Sequence, residues 1–405
     1  MNILFLTLLD FESIEEHNIY TDLLRKFSQY GHNIYAISPV ERRKKQNTRL
    51  IKENDVTILK LKIGNTQKTN IIEKGISTVT IEPLFLHGIK KSFSDIKFDL
   101  ILYSTPPITF CKTVEYVKKR DGAKTYLLLK DIFPQNAVDL GMMNKAGIKG
   151  FIYRFFRRKE KKLYSISDYI GCMSDANVEY IIKHNSEVNP EMVEVCPNSI
   201  EVIDKSISKE IRTGVRKKYN IPLDKIVYVY GGNLGKPQGI DFLIKCLESQ
   251  KKNKEAFFLI VGDGTEYDRL ETFVDTRVQD NLKLMKHLPK EDYDLLVSAC
   301  DVGMIFLDYR FTIPNFPSRI LSYMQAKMPV LIASDSITDI GKIAEENYFG
   351  YWMESNDISG FFDAVNYFNS EKIRKDMGYK AYDFLLNRYT VEKTYRIIMK
   401  HFTKI

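Results

Sequence analysis

The chain has 405 residues, 44% hydrophobic and 28% charged, with 13 Pro and 21 Gly, which excludes disordered, collagenous and low-complexity proteins and suits two domains better than one. Its five scattered cysteines, with no CxxC pair, read as reduced packing residues of an intracellular protein, and a net charge of +8 is too modest for a general nucleic-acid binder. No window reaches the roughly 18 apolar residues of a membrane span, and the opening MNILFLTLLDFESIEEH lacks a basic start and a cleavage site, so it reads as a first strand rather than a signal segment.

Along the chain, short runs of Ile, Leu, Val and Tyr alternate with amphipathic stretches, the pattern of βα units around parallel sheets. Strands are expected at Ile3–Leu8, Ile34–Ser38, Val56–Leu61, Leu100–Tyr103, Thr125–Leu129 and Tyr169–Met173. Helices are expected at Ile14–Tyr30, where Ile19, Leu23, Leu24 and Phe27 keep helical spacing, and at Ser174–His184. After Val193–Val195 a polar linker runs from Cys196 to Lys209, and the pattern restarts. Strands then fall near Ile226–Tyr230, Phe257–Val261, Leu282–Met285, Val302–Phe306, Pro329–Ile332 and Phe349–Trp352. The expected organisation is α/β, with Rossmann-like domains at residues 1–196 and 197–390 facing across a cleft. An amphipathic last helix, 391–405, can pack back on either half and is assigned to the first.

Three motifs of the second half carry chemistry. VYVYGGNLGKPQG, Val227 to Gly239, is a buried strand that ends in glycines, feeds a helix near Gln238 and offers Lys236 as a counter-charge for a phosphate. VGDG, Val261 to Gly264, is a second strand and glycine turn, against which a nucleotide can lie at Gly262 and Gly264. In TIPNFPSRILSYMQAKMPV, Thr312 to Val330, Pro317 and Ser318 open a helix whose free amides, hydroxyl and Arg319 suit an anion. Singly, each reads equally well as an ordinary βα connection or a helix cap; together they favour pyrophosphate binding.

Two features of the first half complete the set. Lys130 and Asp131 end an apolar strand at the expected cleft edge, and His17 follows the first strand. Between Asn144 and Leu163, eight cations (Lys145, Lys149, Arg154, Arg157, Arg158, Lys159, Lys161 and Lys162) meet Glu160 alone and interleave with Phe151, Ile152, Tyr153, Phe155 and Phe156. Such a helix either shows a solvated basic face or lies on an anionic membrane surface.

KDIFPQNAVDLGMM (Lys130 to Met143), CPNSI (Cys196 to Ile200), GGNLGKPQGI (Gly231 to Ile240), VGDG and FPSRILSYMQAKMPV (Phe316 to Val330) resemble the retaining family-4 glycosyltransferases of the GT-B fold, and their bacterial surface-polysaccharide branch that includes L-fucosamine transferases. The resemblance implies a metal-independent hexosyltransferase without cofactor that moves a sugar, such as N-acetyl-fucosamine, from a UDP donor to an undecaprenyl-diphosphate-linked saccharide in capsule or surface-glycan assembly. It also implies a cytoplasmic protein, peripheral on the inner face of the cell membrane; a homo-oligomer is left open. Asp131, Lys236 and Arg319 are its expected catalytic residues. The donor set is Gly232, Asn233, Leu234, Gly235, Gly262, Gly264, Leu288, Phe316, Pro317, Ser318 and Ser322. The acceptor or membrane set is His17, Lys130, Arg154, Arg157, Arg158 and Lys161. Two departures stand out: Pro314 and Ser322 replace a pair of glutamates common in relatives, and Asn233 and Gln238 replace the usual Arg and Lys of the glycine turn. Two other readings are a UDP-sugar 2-epimerase of similar fold, short here of cleft carboxylates and histidines, and a degenerate nucleotide-binding partner subunit.

Overall fold

Runs of Ile, Leu, Val and Tyr buried on both faces form parallel strands throughout the computed structural model, which describes residues 1–66, 71–276 and 279–402. Two units separate: one comprises residues 1–201 with the segment from Val391 onward, the other Val202–Thr390.

In the first unit the strands are β1 (Asn2–Leu6), β2 (Asn33–Glu41), β3 (Arg49–Glu53), β4 (Val56–Ile63), β5 (Leu100–Ser104), β6 (Lys124–Leu129), β7 (Tyr169–Cys172) and β8 (Val193–Val195). Among the described residues they form one sheet in the order β3-β4-β2-β1-β5-β6-β7-β8, with only β3 antiparallel to its neighbour. The order reverses between β1 and β5, so the segments leaving those strands and the adjacent β6 meet at a topological switch point.

The expected helix at Ile14–Tyr30 begins later, at Thr21, and ends at Gln29. Asn18 stops it from extending backward, because its Oδ1 accepts the amides of Tyr20 and Thr21. Phe11 and Ile14 are core residues on a loop rather than on a helix face. That loop is tied to the sheet by Lys60, fully buried on β4, which donates to the Asp10 carboxylate, the Phe11 carbonyl and Ser38 Oγ. The closing helix, Val391–Met399, places Tyr395, Ile398 and Met399 in the same core, with Tyr395 stacked on Tyr30 at 4.2 Å.

In the second unit, β9 (Ile226–Asn233), β10 (Ala256–Asp263), β11 (Leu282–Met285), β12 (Val302–Phe306), β13 (Val330–Ser334) and β14 (Gly350–Glu354) make an all-parallel sheet ordered β11-β10-β9-β12-β13-β14. Its switch point lies between β9 and β12, so the glycines that end β9 stand where such sheets take ligands. All five cysteines are buried and unpaired. Among the described residues no helix is long and apolar enough to cross a membrane.

Candidate functional site

The second unit gathers its chemistry where β9 ends. Gly232 sits at φ 121°, a conformation that a side chain resists, and it is exposed, as are Asn233 and Lys236. Arg319 opens the helix Arg319–Gln325 and reaches the same point: a Cβ on Gly232 would lie 3.6 Å from its Cζ. The guanidinium lies over the Tyr230 ring, 4.4 Å from the centroid. Its Nη1 is fully buried and has no hydrogen-bond partner. The groups acting on it are the hydroxyls of Tyr230, Tyr323 and Tyr293 rather than a carboxylate. A half-buried arginine held by neutral aromatics keeps its whole charge available to an anion.

The structure reassigns several residues around this cation. Leu234 is fully buried in the core of the unit, so its side chain is packing and not a ligand contact. Its amide donates to the Asp263 carbonyl, and the Gly235 amide to Gln238 Oε1. These two amides are thus already satisfied by the protein, which moves the expected phosphate contacts off that part of the backbone. Gly262 and Gly264 are glycines for packing: a Cβ on the first would fall 1.9 Å from the Gly232 carbonyl oxygen, and on the second 2.3 Å from that of Leu234. They let β10 and its turn close on the turn after β9. Phe316 is buried, edge-on to Tyr389 at 5.7 Å, and is likewise a core residue.

Ser318 is exposed at the N-cap without a side-chain capping bond; Pro317 and Ser322 are half-buried beside it. The helix is only seven residues long, so its amides carry little dipole and the guanidinium is the stronger positive group at this end. Leu288 is half-buried in the connection between β11 and the helix Lys290–Ser298. Where relatives of the resembled family carry two cations in the glycine turn, Asn233 Nδ2 donates to Gln238 Oε1 at 3.2 Å, a neutral bond that pins the turn. The sequence motifs single out none of Tyr230, Tyr293 and Tyr323, of which Tyr230 and Tyr323 are fully buried. The available signal was the spacing of Arg319 and Tyr323, one helical turn apart on one face.

In the first unit, Asp131 follows β6 and is half-buried. Burial pushes its pKa up to about 6, against the lowering effect of the Ile132 amide and of Asn136, whose Nδ2 donates to both carboxylate oxygens at 2.9 and 3.0 Å. Thr105 holds the turn, its Oγ1 accepting the amides of Lys130 and Asp131. The neighbouring Lys130 points elsewhere: its Nζ donates to the Cys196 carbonyl, and burial lowers its pKa. Lys130 is therefore a strut under the strand ends rather than a free acceptor contact.

His17 is half-exposed, with Nδ1 3.3 Å from Asp22 and 3.1 Å from Arg25 Nη2. Together with Glu201 it makes a group whose ligand atoms lie within 4.8 Å of one another, the spacing of a metal site. Arg25 occupies the middle of that group, donating to both Asp22 and Glu201, so the cluster is a guanidinium-filled ion-pair network. His17 Nδ1 is thus held within this network rather than offered to an acceptor.

The basic run forms the helix Gly147–Ile166. Arg157 pairs with buried Glu160 and also donates to His184 O and Asn185 Oδ1; Lys159, Lys161 and Lys162 pair with Glu82, Glu187 and Glu115. The expected membrane roles of Arg157 and Lys161 are corrected accordingly, because Glu160 of the same helix and Glu187 from another segment hold them. Arg154 and Arg158 are exposed, whereas the Lys149 side chain lies outside the described residues. Phe156 packs on Phe133 at 5.1 Å, but Phe151, Ile152 and Phe155 are 69%, 45% and 41% exposed, with Met142 at 56% in the preceding turn.

With this geometry established, comparison with known proteins gives a concordant picture. Residues 212–384 match the family described as Glycosyl transferases group 1. The chain is 26% identical over 302 residues to a probable glycosyltransferase, WbjE, of Pseudomonas aeruginosa, covering 73% of this chain and 72% of the relative. It is 21% identical to an Escherichia coli UDP-Gal:alpha-D-GlcNAc-diphosphoundecaprenol alpha-1,3-galactosyltransferase, over 70% of this chain and 79% of that protein. Among solved structures, HepE of Anabaena in complex with UDP-glucose superposes with a TM-score of 0.71 at 14% identity, over 99% of each chain.

Proposed function

We propose a specific reaction for this GT-B glycosyltransferase, whose residues 212–384 match the group 1 glycosyltransferases and which is similar to a colanic acid biosynthesis glycosyl transferase. The enzyme transfers an N-acetyl-hexosamine, such as N-acetyl-fucosamine, from UDP to a lipid-linked saccharide with retention of anomeric configuration. The observation that carries this is the Arg319 guanidinium, with its Nη1 buried and without a hydrogen-bond partner, against Gly232 at the sheet's switch point. The bond from the anomeric carbon to the diphosphate breaks as the acceptor oxygen bonds that carbon. Arg319, with exposed Lys236, takes up the negative charge that develops on the departing UDP. Asp131 receives the proton of the acceptor hydroxyl.

Support for the UDP donor comes from HepE, solved with UDP-glucose, and for the lipid-linked acceptor from the galactosyltransferase, whose acceptor is a diphosphoundecaprenol. The comparisons do not favour the epimerase or the inactive-subunit reading, because the matched family and the named relatives are transferases. Incubating the enzyme with a panel of UDP-sugars and a diphospholipid-linked N-acetylhexosamine, followed by mass spectrometry, tests the reading. A mass increase of one sugar on the acceptor is expected; UDP-sugar isomerisation without transfer, or no turnover with any UDP-sugar, would defeat it.

The acceptor's lipid implies contact with an anionic membrane, for which Phe151, Ile152 and Phe155 with Arg154 and Arg158 are the proposed surface. Sedimentation with phosphatidylglycerol vesicles is expected to carry the protein down. The Phe151→Ser/Phe155→Ser double variant should bind roughly tenfold more weakly, from the apolar area withheld from the interface. Lys161→Ala, whose cation is already paired with Glu187, should leave binding nearly unchanged.

A further inference from the structure

Two glycines on adjacent strands make room for two tyrosine rings. A Cβ on Gly231 of β9 would lie 1.6 Å from the Tyr293 hydroxyl, and one on Gly303 of β12 would lie 2.3 Å from the ring of Tyr323. Glycine inside a strand gives up a side chain to pack and marks a place where another group approaches the backbone closely. The two rings fill the space that the glycines leave, and a polar network is built on their hydroxyls. Tyr323, fully buried, accepts the Gly231 amide at 3.2 Å and donates to the Met304 carbonyl at 3.3 Å. The Tyr293 hydroxyl is seated against the bare Cα of Gly231, beside Tyr323. Tyr230 closes the set, its ring beneath the Arg319 guanidinium and its hydroxyl donating to the Asn233 carbonyl at 2.8 Å.

We infer that Tyr293 and Tyr323 are positioning residues for diphosphate binding: Tyr323 fixes the Gly231–Gly232 backbone against Arg319 through its hydroxyl, Tyr293 by seating its hydroxyl on Gly231, and both face the cation with neutral groups. This rests on the proposal that Arg319 meets the donor's diphosphate. A carboxylate in their place would pair with the guanidinium and compete with the incoming anion. Tyrosine hydroxyls orient it and leave its charge uncancelled, and the low polarisability of the surroundings strengthens its attraction for a dianion. The arrangement favours a dense anion: a diphosphate should gain more from these hydroxyls than a monophosphate, and an uncharged nucleoside should gain nothing.

Calorimetric titration of the full chain with UDP, UMP, uridine and inorganic pyrophosphate, in wild type and in Tyr293→Phe, Tyr323→Phe and the double variant, tests this. Phenylalanine keeps the ring and removes only the hydroxyl, and thermal unfolding without ligand reports whether folding is intact. The expected result is a loss of about tenfold in UDP and pyrophosphate affinity for each single variant, less for UMP and none for uridine, with KM for the donor rising more than kcat falls. Equal weakening of UDP and uridine, or UDP affinity unchanged in the double variant, would overturn the inference while leaving Arg319's role standing. If wild type binds neither UDP nor pyrophosphate, the donor-site reading fails and the inference falls with it.

Discussion

Arg319→Met is expected to abolish most donor affinity while leaving the ligand-free protein at least as stable as wild type. The two halves of this result follow from one fact, the buried Nη1 without a partner. Without the donor, the buried Nη1 has given up water without gaining a counter-ion, and a methionine of similar length that packs on Tyr230 avoids that cost. The unfolding temperature without ligand should hold or rise. With ligand the comparison reverses. A charge-assisted bond contributes roughly 1.5–3 kcal/mol, so losing it should weaken UDP binding by about 10- to 150-fold. A ligand at 100 times its Kd stabilises by about 2.7 kcal/mol, and the variant should forfeit most of that shift at the same UDP concentration. Thermal unfolding with and without UDP measures both. A ligand-free variant that unfolds well below wild type would mean that Arg319 serves the fold, and an unchanged UDP shift would take it out of the donor site. Arg319→Lys should fall between, since lysine keeps the charge but not the planar fork that lies over Tyr230.

Much of this fold is legible in the sequence because parallel strands buried on both faces read as unbroken apolar runs. Val302–Phe306 and Val330–Ser334, buried throughout, end where the hydrophobicity ends, within a few residues. The exception is β3, whose RLIKE alternates with charges because it is an antiparallel edge strand, largely exposed and turned back onto β4 through Asn54 at φ 53°. Its signal is the turn residue rather than the strand. The glycine turn after β9 is visible because Gly232 needs a backbone that only glycine adopts readily. What the sequence hides is pairing over distance. Glu82, Glu115 and Glu187 neutralise the basic helix from other segments, and a local charge count does not show them. Likewise Tyr293 and Tyr323 come from separate helices, and at the level of spacing a tyrosine that orients a cation looks the same as one that fills a core.

Asp131 offers the second large effect, and its sign differs between activity and stability. Its carboxyl pKa stands near 6 because burial penalises the charged form more than the Ile132 amide and Asn136 favour it. If it takes the acceptor's proton it must be ionised, so kcat/KM should fall about tenfold per pH unit below roughly pH 6, and Asp131→Asn should lose about 10²- to 10⁴-fold at pH 8. For stability the direction is opposite. The folded pKa lies above the unfolded value near 3.8, so the native state binds this proton more tightly. Its contribution grows as pH falls through 6 and is complete below the unfolded pKa; at pH 8 the ionised group is a burden. Asp131→Asn should thus be more stable than wild type at pH 8 and lose that advantage by pH 4, while its activity is low at both. Asp335 supplies the control. Its pKa is also raised to about 6 by burial, but its oxygens accept the Ile337 and Thr338 amides and the Thr338 hydroxyl, and that hydroxyl in turn accepts the Asn315 amide ahead of Arg319. Both groups therefore titrate in the stability curve over the same range, and an acid limb in activity could arise from either. Asn136→Ala separates them. It removes the donor that bridges both Asp131 oxygens, so Asp131's pKa should climb and the acid limb of kcat/KM should move to higher pH, whereas Asp335 is untouched. An acid limb that stays in place in Asn136→Ala would assign it to Asp335 and the loop before Arg319, and would remove Asp131 from proton transfer.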